Sequence, residues 1–376
     1  LVQSAFAGKP KDIISQSVAK ALYGEVSPYS ATRLERFAAC AFAHFLQYGM
    51  KLTERVEYEF KPMDMGNVMH GALESFAEEV RKRGMKWTEL TEQERNEIAD
   101  RCLDNIVADY GNTVLKSSAR NEYMIERTRR ILRRTVWALQ KQLEQGEFQP
   151  EGFEVTFGGG RIDRVDIMED QNKVYVKVID YKTGNTSFDL VYLYHGLQLQ
   201  LMIYLDGALR VEQKKYPDKE IIPAGVFYYN IKDPMIQEKI DADVEAGSAG
   251  LMKELKMNGL VQADPELVYR MDSSLGSIPV AFNKDGSFRK NSSVADRTQF
   301  AVLGRYVRTK IEKIRSSILE GDAEVSPYEL GKKNACTYCP YMTVCGFDRR
   351  LSGYEFRRLK NFSDEELWKA FDREAE

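Results

Sequence analysis

Residues 158–184 read GGGRIDRVDIMEDQNKVYVKVIDYKTG, and residues 195–206 read HGLQLQLMIYLD. Apolar and charged residues alternate in Arg161–Met168 and again in Lys173–Asp180, the period of a half-buried strand rather than of a helix. The link Glu169-Asp170-Gln171-Asn172 is polar and turn-like, so the two runs are expected to form an antiparallel hairpin. That pairing brings Asp163 and Asp180 towards a common edge of the sheet. Two carboxylates converging there make a hard-oxygen site of the kind Mg²⁺ or Mn²⁺ prefers. Lys182 follows Asp180 after one residue and is placed to orient a water or to stabilise charge on a phosphate. Asp163 alone would read as an ordinary surface acid; the ordered set argues otherwise. Asp166, at an odd offset from Asp163, points to the opposite face of the strand and is left out of the site.

Composition sets wide bounds. The chain has 376 residues, 43% of them hydrophobic, enough for a sizeable core in one large domain or two small ones. Its net charge of −3 does not announce a nucleic-acid partner, so a DNA-binding role requires local gathering of Lys and Arg. No apolar run approaches the roughly 20 residues needed to span a bilayer. The first residue is Leu1 and no charged-then-apolar leader follows, which predicts a cytoplasmic chain and a fragment of a longer polypeptide. No GxxxxGK[ST] is present, against a P-loop ATPase in this piece. Five unevenly spaced cysteines argue for a metal or cluster rather than a disulfide framework.

Along the chain, residues 1–27 read as a linker or leading helix with a helical pattern over Asp12–Leu22, and residues 28–150 as a helical region. Ser27-Pro28-Tyr29-Ser30 opens a strong helix with Ser30 as N-cap and Cys40 inside it; a second helix runs from Asn67 to about Lys82. Trp87–Asp109 and Ser117–Gly146 form two more. The arginines of the last (Arg127, Arg129, Arg130, Arg133, Arg134) either track a phosphate backbone or form a solvated face paired with acids. Residues 151–235 form the α/β core, with strands at Phe153–Gly158 and Ala224–Ile231 and a helix over Leu190–Leu209 laid on the sheet. Residues 236–335 read as mainly helical, residues 336–350 as a cysteine loop, and residues 351–376 as a helical tail that docks on the domain or on a partner. The fold class is therefore α/β: a small mixed sheet flanked by helices, inside a helical surround.

The second strong signal is Cys336-Thr-Tyr-Cys339-Pro-Tyr-Met-Thr-Val-Cys345, a C-x2-C-x5-C group with metal-ligand spacing. Three thiolates leave a four-coordinate site one ligand short, and Cys40 is the natural fourth. Cys102 reads as an ordinary buried cysteine.

These pieces together resemble the PD-(D/E)xK nucleases of the RecB lineage, in G-x-I-D-x-V-D, I-D-Y-K-T-G and the Q-x-x-x-Y of Gln200 to Tyr204. The resemblance covers about residues 27–350. It implies a restriction-endonuclease-like core and Mg²⁺-dependent hydrolysis of phosphodiester bonds in DNA, as an exonuclease. It also implies that His70, Asp163, Asp180 and the Tyr181 carbonyl are metal ligands, that Lys182 is catalytic, and that Gln200 and Tyr204 support the site or contact the strand. The order Cys40, core, Cys336, Cys339, Cys345 looks like the iron–sulfur staple of that lineage, which implies a [4Fe–4S] cluster; Zn²⁺ at the same thiols is the alternative. Ala41 stands where the family often has Pro. Of the three histidines, His44 reads as packing and His195 carries no assigned role. Within the lineage, the opening YSATRLERF, GRIDRVD, DYKTG and the cysteine tail look most like the C-terminal nuclease domain of the second component of AddAB-type helicase–nucleases. That implies processing of double-strand DNA ends for recombinational repair, in a heterodimer with an A subunit. Rival readings are a stand-alone single-strand DNA exonuclease of the CRISPR-associated kind, a non-catalytic iron–sulfur DNA-binding module, and a zinc-binding interaction domain.

Overall fold

The structure is a computed structural model that describes residues 13–24, 30–53, 62–109, 118–158, 160–234 and 250–375. Its centre is a six-stranded mixed sheet in the order β1-β2-β3-β4-β5-β6. The strands are β1 (Gln149–Phe157), β2 (Gly160–Asp170), β3 (Lys173–Lys182), β4 (Glu220–Asn230), β5 (Asn258–Gln262) and β6 (Val294–Ala295). β1, β2 and β3 run as an antiparallel meander, β3 and β4 are parallel, and β5 and β6 extend the far edge. β2 and β3 meet through the two-residue turn Gln171-Asn172, with Asp170 paired to Lys173 and Gln171 at φ 44°.

The helices are α1 (Gln16–Tyr23), α2 (Ala31–Ala39), α3 (Ala41–His44), α4 (Pro62–Lys82), α5 (Glu92–Asp109), α6 (Ala119–Glu144), α7 (Leu190–Tyr194), α8 (Gln200–Lys215), α9 (Pro265–Met271), α10 (Arg297–Glu320), α11 (Met342–Cys345) and α12 (Asp364–Ala375). The parallel β3–β4 pair needs a crossover, and α7 and α8 supply it. Alternation along β3 sorts its side chains between two cores. Val174, Val176 and Val178 pack with Leu201, Leu205, Leu303 and Phe371 from α8, α10 and α12. Tyr175, Ile179 and Tyr181 pack with Phe76, Leu103 and Leu132 from α4, α5 and α6. Among the described residues, no helix is long and apolar enough to cross a membrane.

Several expectations change here. The hairpin strands are not half-buried: Val174 to Tyr181 is buried throughout, because helices cover both faces. The charged residues of the alternation are instead buried together. Arg164 donates through Nε and Nη2 to Asp166 at 2.6 and 2.9 Å, and Lys177 Nζ lies 3.1 Å from the same carboxylate. The stretch 236–335 is not mainly helical, since β5 and β6 join the sheet from it; residues 235–249 lie outside the described residues. Leu190–Leu209 is two helices separated at 195–199. Trp87–Asp109 opens with a single 3₁₀ turn at Trp87–Glu89 before α5. α4 begins at Pro62, ahead of Asn67.

The helix through Cys40 is also broken. Cys40 takes an extended conformation (φ −166°, ψ 117°) that ends α2 and starts α3. Ser30 caps α2 as expected, accepting from Arg33 N–H, while Ser27, Pro28 and Tyr29 lie outside the described residues. The tail helix α12 docks on the domain itself: Leu367, Ala370 and Phe371 are buried, with Phe371 against Tyr194 and Tyr306.

Candidate metal centre and cysteine pocket

The antiparallel register of β2 and β3 places Asp163 near the start of one strand and Asp180 near the end of the other, at the same end of the sheet. Asp163 Oδ2 accepts from the Tyr181 backbone N–H at 2.7 Å, which locks the two strand ends together. His70, on α4, reaches the same corner: its Nε2 is 3.1 Å from the Tyr181 carbonyl oxygen and its Nδ1 3.4 Å from Asp163 Oδ2. Adjacent ligands around an octahedral Mg²⁺ with bonds of about 2.1 Å stand about 3 Å apart, so the His70–Tyr181 pair has the spacing of two neighbouring ligands. His70, Glu154 and Asp163 each offer a ligand atom within 4.8 Å of the others.

Glu154 was not among the residues singled out from the sequence. The register that pairs Phe153 with Arg164 and Val155 with Ile162 leaves Glu154 facing Asp163. It holds φ 49°, a left-handed conformation unusual for a non-glycine residue, and its carboxylate lies 3.9 Å from His70 Nδ1. The signal was available. The antiparallel register that pairs Phe157 with Gly160 puts Glu154 opposite Asp163 by itself.

Charge in this corner is unbalanced. Burial, then repulsion from Asp163, pushes the Asp180 carboxyl up to about 7 against the pull of Lys182. Burial and the charges of Asp163 and Glu74 likewise raise Glu154. Burial alone would lower His70, but Asp163, Asp180 and Glu154 together outweigh it and raise its pKa. Asp180 Oδ2 has Lys182 Nζ at 2.6 Å and no aligned hydrogen bond among the described residues, so an acceptor stays open. Lys182 in turn donates to Gln200 Oε1 at 2.8 Å, and Gln200 Nε2 donates to the Tyr204 hydroxyl at 2.9 Å. Oxygen donors, one imidazole and an uncompensated negative charge fit a hard divalent cation.

Cys40, Cys336, Cys339 and Cys345 line one pocket, with Phe42, Val325, Pro327 and Phe347 around them. A small sheet of β7 (Tyr328–Leu330), β8 (Lys333–Asn334) and β9 (Arg357–Arg358) frames the cysteine loop. Asn334 Oδ1 accepts from the Cys336 and Thr337 N–H groups and sets the loop's first turn. Ties cross from it to the front of the chain, where Tyr341 donates to the Leu52 carbonyl and Arg357 to that of Ala38. Burial and the three neighbouring cysteines push the Cys336 thiol up to about 12, and burial raises Cys40. Thiols that oppose one another's ionisation in an apolar pocket fit a thiolate-bound cationic centre, which removes that penalty. Cys102 lies apart, in the core beneath α4 and α6.

Other residues weighed from the sequence have structural partners. His44 is fully buried, accepts from Arg33 Nε and is held near 3 by burial, then by Arg33. His195 Nε2 contacts the Lys360 carbonyl oxygen and its ring meets Phe362, which ties down the tail. On α6, Arg129 pairs with Asp104, Arg133 with Asp100, and Arg130 and Arg134 with Asp233, while Arg127 is exposed.

Residues 28–346 match the sequence model of the PD-(D/E)XK nuclease superfamily. The chain is also similar to bacterial proteins named as the B component of an ATP-dependent helicase/deoxyribonuclease. With that of Lachnoclostridium phytofermentans it shares 42% identity over 399 residues, covering 100% of this chain and 34% of the relative. With that of Thermoanaerobacter sp. (strain X514) it shares 35% over 387 residues, 96% of this chain and 34% of the relative. With that of Alkaliphilus metalliredigens it shares 34% over 403 residues, 100% of this chain and 35% of the relative. The chain thus spans about a third of the length of these relatives.

Proposed function

This chain belongs to the PD-(D/E)XK nuclease superfamily, and from that membership and the geometry of its acidic corner we propose that it is a divalent-cation-dependent deoxyribonuclease. The observation that carries the reading is the convergence of His70, Glu154 and Asp163 within 4.8 Å, beside the Asp180–Lys182 pair. His70, Glu154, Asp163, Asp180 and the Tyr181 carbonyl would hold Mg²⁺ or Mn²⁺. The bound cation supplies a water of lowered pKa and offsets charge on the scissile phosphate. Lys182 presents its ammonium, steadied by Asp180 and Gln200, to the attacking oxygen or to the charge that develops on the phosphate. Gln200 fixes that lysine and is itself oriented by Tyr204.

The four cysteines would hold a [4Fe–4S] cluster that closes the long loop from α2 to the C-terminal segment and ties the two ends of the domain together. Zn²⁺ would fit the same donors; absorbance near 400 nm in anaerobically purified protein separates the two, and its loss in Cys40→Ser assigns the ligand. The printed names of the relatives support a place in a multi-subunit helicase–deoxyribonuclease; an A-subunit partner and exonucleolytic processing of DNA ends complete the proposal and rest on the motif resemblance alone. Similarity along the whole chain to those relatives favours this over a stand-alone exonuclease.

The deciding experiment is cleavage of linear single- and double-stranded DNA with and without Mg²⁺, with Asp180→Ala alongside. Cleavage that requires the cation and vanishes in the variant supports the reading. Cleavage that persists in Asp180→Ala places the chemistry elsewhere.

A further inference from the structure

Helix α8 carries Gln200 and Tyr204, yet it begins without a cap of its own. Leu199 stands at its N-cap and makes no side-chain hydrogen bond. The exposed N–H groups are met from 164 residues away in sequence: Glu35 Oε1 accepts from Leu199 N–H at 2.7 Å and from Gln200 N–H at 3.0 Å. An oxygen acceptor at a helix start satisfies donors that have no partner within the helix, and a carboxylate there also meets the positive end of the helix dipole. Glu35 lies on α2, whose Leu34, Phe37 and Ala38 are buried in the core, so the carboxylate is presented from a fixed support.

Gln200 therefore has its main chain held by Glu35 while its side chain holds Lys182. Its Nε2 is engaged by Tyr204, which leaves Oε1 turned to the lysine. Five residues after Glu35 comes Cys40, the residue that ends this helix, about 7 Å further along at 1.5 Å per residue. We propose that Glu35 is a positioning residue for the lysine: by capping α8 from α2 it fixes Gln200, and through Gln200 it sets the direction of the Lys182 ammonium. α2 is then the rigid link between the cysteine pocket and the nuclease centre. This inference rests on the nuclease reading of the site. Glu35 as a whole is only half-buried, but its carboxyl end is turned inward, where burial outweighs the two backbone donors and Lys182 and pushes its pKa up to about 7. A carboxyl group kept at such a cost of desolvation is one whose hydrogen bonds matter.

The test compares Glu35→Ala, Glu35→Gln and Glu35→Asp in the full chain, purified anaerobically, with Mg²⁺ and linear single-stranded DNA. Glu35→Ala should lower kcat by about 10- to 100-fold, the cost of misplacing a reacting group by about an ångström, with KM for DNA within about twofold. Absorbance near 400 nm should match the parent. Glu35→Gln keeps an acceptor oxygen in place and should restore most of kcat, which a role in charge alone would not allow. Glu35→Asp withdraws the acceptor by one methylene and should lose kcat while folding as the parent does, so it decides the matter if Glu35→Ala aggregates. Hydrogen exchange over residues 196–204 supplies a readout without turnover, faster in Glu35→Ala and Glu35→Asp than in Glu35→Gln. Parent-like kcat in Glu35→Ala and Glu35→Asp, or equal impairment of Glu35→Gln and Glu35→Ala, overturns the proposal. If the parent cuts no DNA, the nuclease reading fails instead, and exchange over 196–204 still decides the cap.

Discussion

Cation binding at the acidic corner should depend on pH with a midpoint set by Asp180. That residue is 1% exposed. Burial, and next the Asp163 charge, pushes it from an ordinary 3.8 up to about 7, with Lys182 opposing. An entering cation must therefore displace a proton at acidic pH. Each pH unit below about 7 should weaken apparent affinity about tenfold, about 1.4 kcal/mol. His70, also raised, adds a second proton to be displaced and steepens the dependence below its own pKa. Once Asp180 and His70 are both deprotonated the affinity should level off. The metal-free fold moves the other way. An acid whose folded pKa lies above its unfolded value binds more protons when folded, so stability falls as pH rises from about 4 to about 7. Mg²⁺ should restore what is lost above that window. Calorimetric titration of Mg²⁺ or Mn²⁺ at about pH 6, 7 and 8, in buffers of different ionisation heat, reads both the affinity and the protons released. Equal affinity at pH 6 and 8 with no proton release would refute the reasoning. Asp180→Asn, which cannot take up that proton, should bind weakly and retain only the His70 and Glu154 parts of the dependence.

Lys182→Ala should cost about 10²- to 10³-fold in kcat with little change in KM for DNA, because the ammonium acts on developing charge; a variant that loses affinity but keeps kcat would make Lys182 a binding residue. Glu154→Gln should weaken Mn²⁺ binding by about tenfold or more, since it replaces the carboxylate of one of three converging donors with a neutral amide; unchanged affinity by calorimetry would remove Glu154 from the ligand set. Asp166→Ala leaves Arg164 and Lys177 buried without an anion and should cost about 3–5 kcal/mol in urea unfolding, whereas Lys177→Met leaves one balanced pair and should cost less than about 1.5 kcal/mol. The opposite order of severity would show that the three do not act as one network. The arginine and lysine beside it hold Asp166 below the usual carboxylate range despite burial, so its contribution should be fully present above about pH 4 and lost as pH falls through its folded pKa.

Much of the core was legible because β2 and β3 are joined by a two-residue turn, so alternation and link length together dictate register. What alternation could not show is that both faces are covered, because a charged residue looks the same whether it meets water or a buried partner. Arg164 and Lys177 meet Asp166. β5 and β6 were missed for a related reason: strands of five and two residues are too short for a period to emerge. The helix over Leu190–Leu209 was read as continuous because its apolar spacing runs unbroken across 195–199. There Gly196, at φ 78°, lets the chain turn, and Glu35 restarts the helix from outside. No local pattern encodes a cap supplied from 164 residues away.

The same pair of strands presents two charged sets to its two faces, and their balance is what separates scaffold from site. On one face Asp166 is answered by Arg164 and Lys177, so the set is closed and asks for nothing more. On the other, Asp163, Asp180 and Glu154 face Lys182, the exposed Arg161 3.4 Å from Glu154, and an imidazole whose own pKa is raised by them. Three carboxylates against two permanent cations, one of them largely exposed, leave a partly buried corner short of positive charge, which either protons or a metal ion can supply. The raised pKa values of Asp180 and Glu154 are the proton answer, and the convergence of His70, Glu154 and Asp163 fits the metal one. The sequence motif names two of the acids, but the charge deficit that suits them to the proposed cation exists only once β1 folds back and brings Glu154 to Asp163.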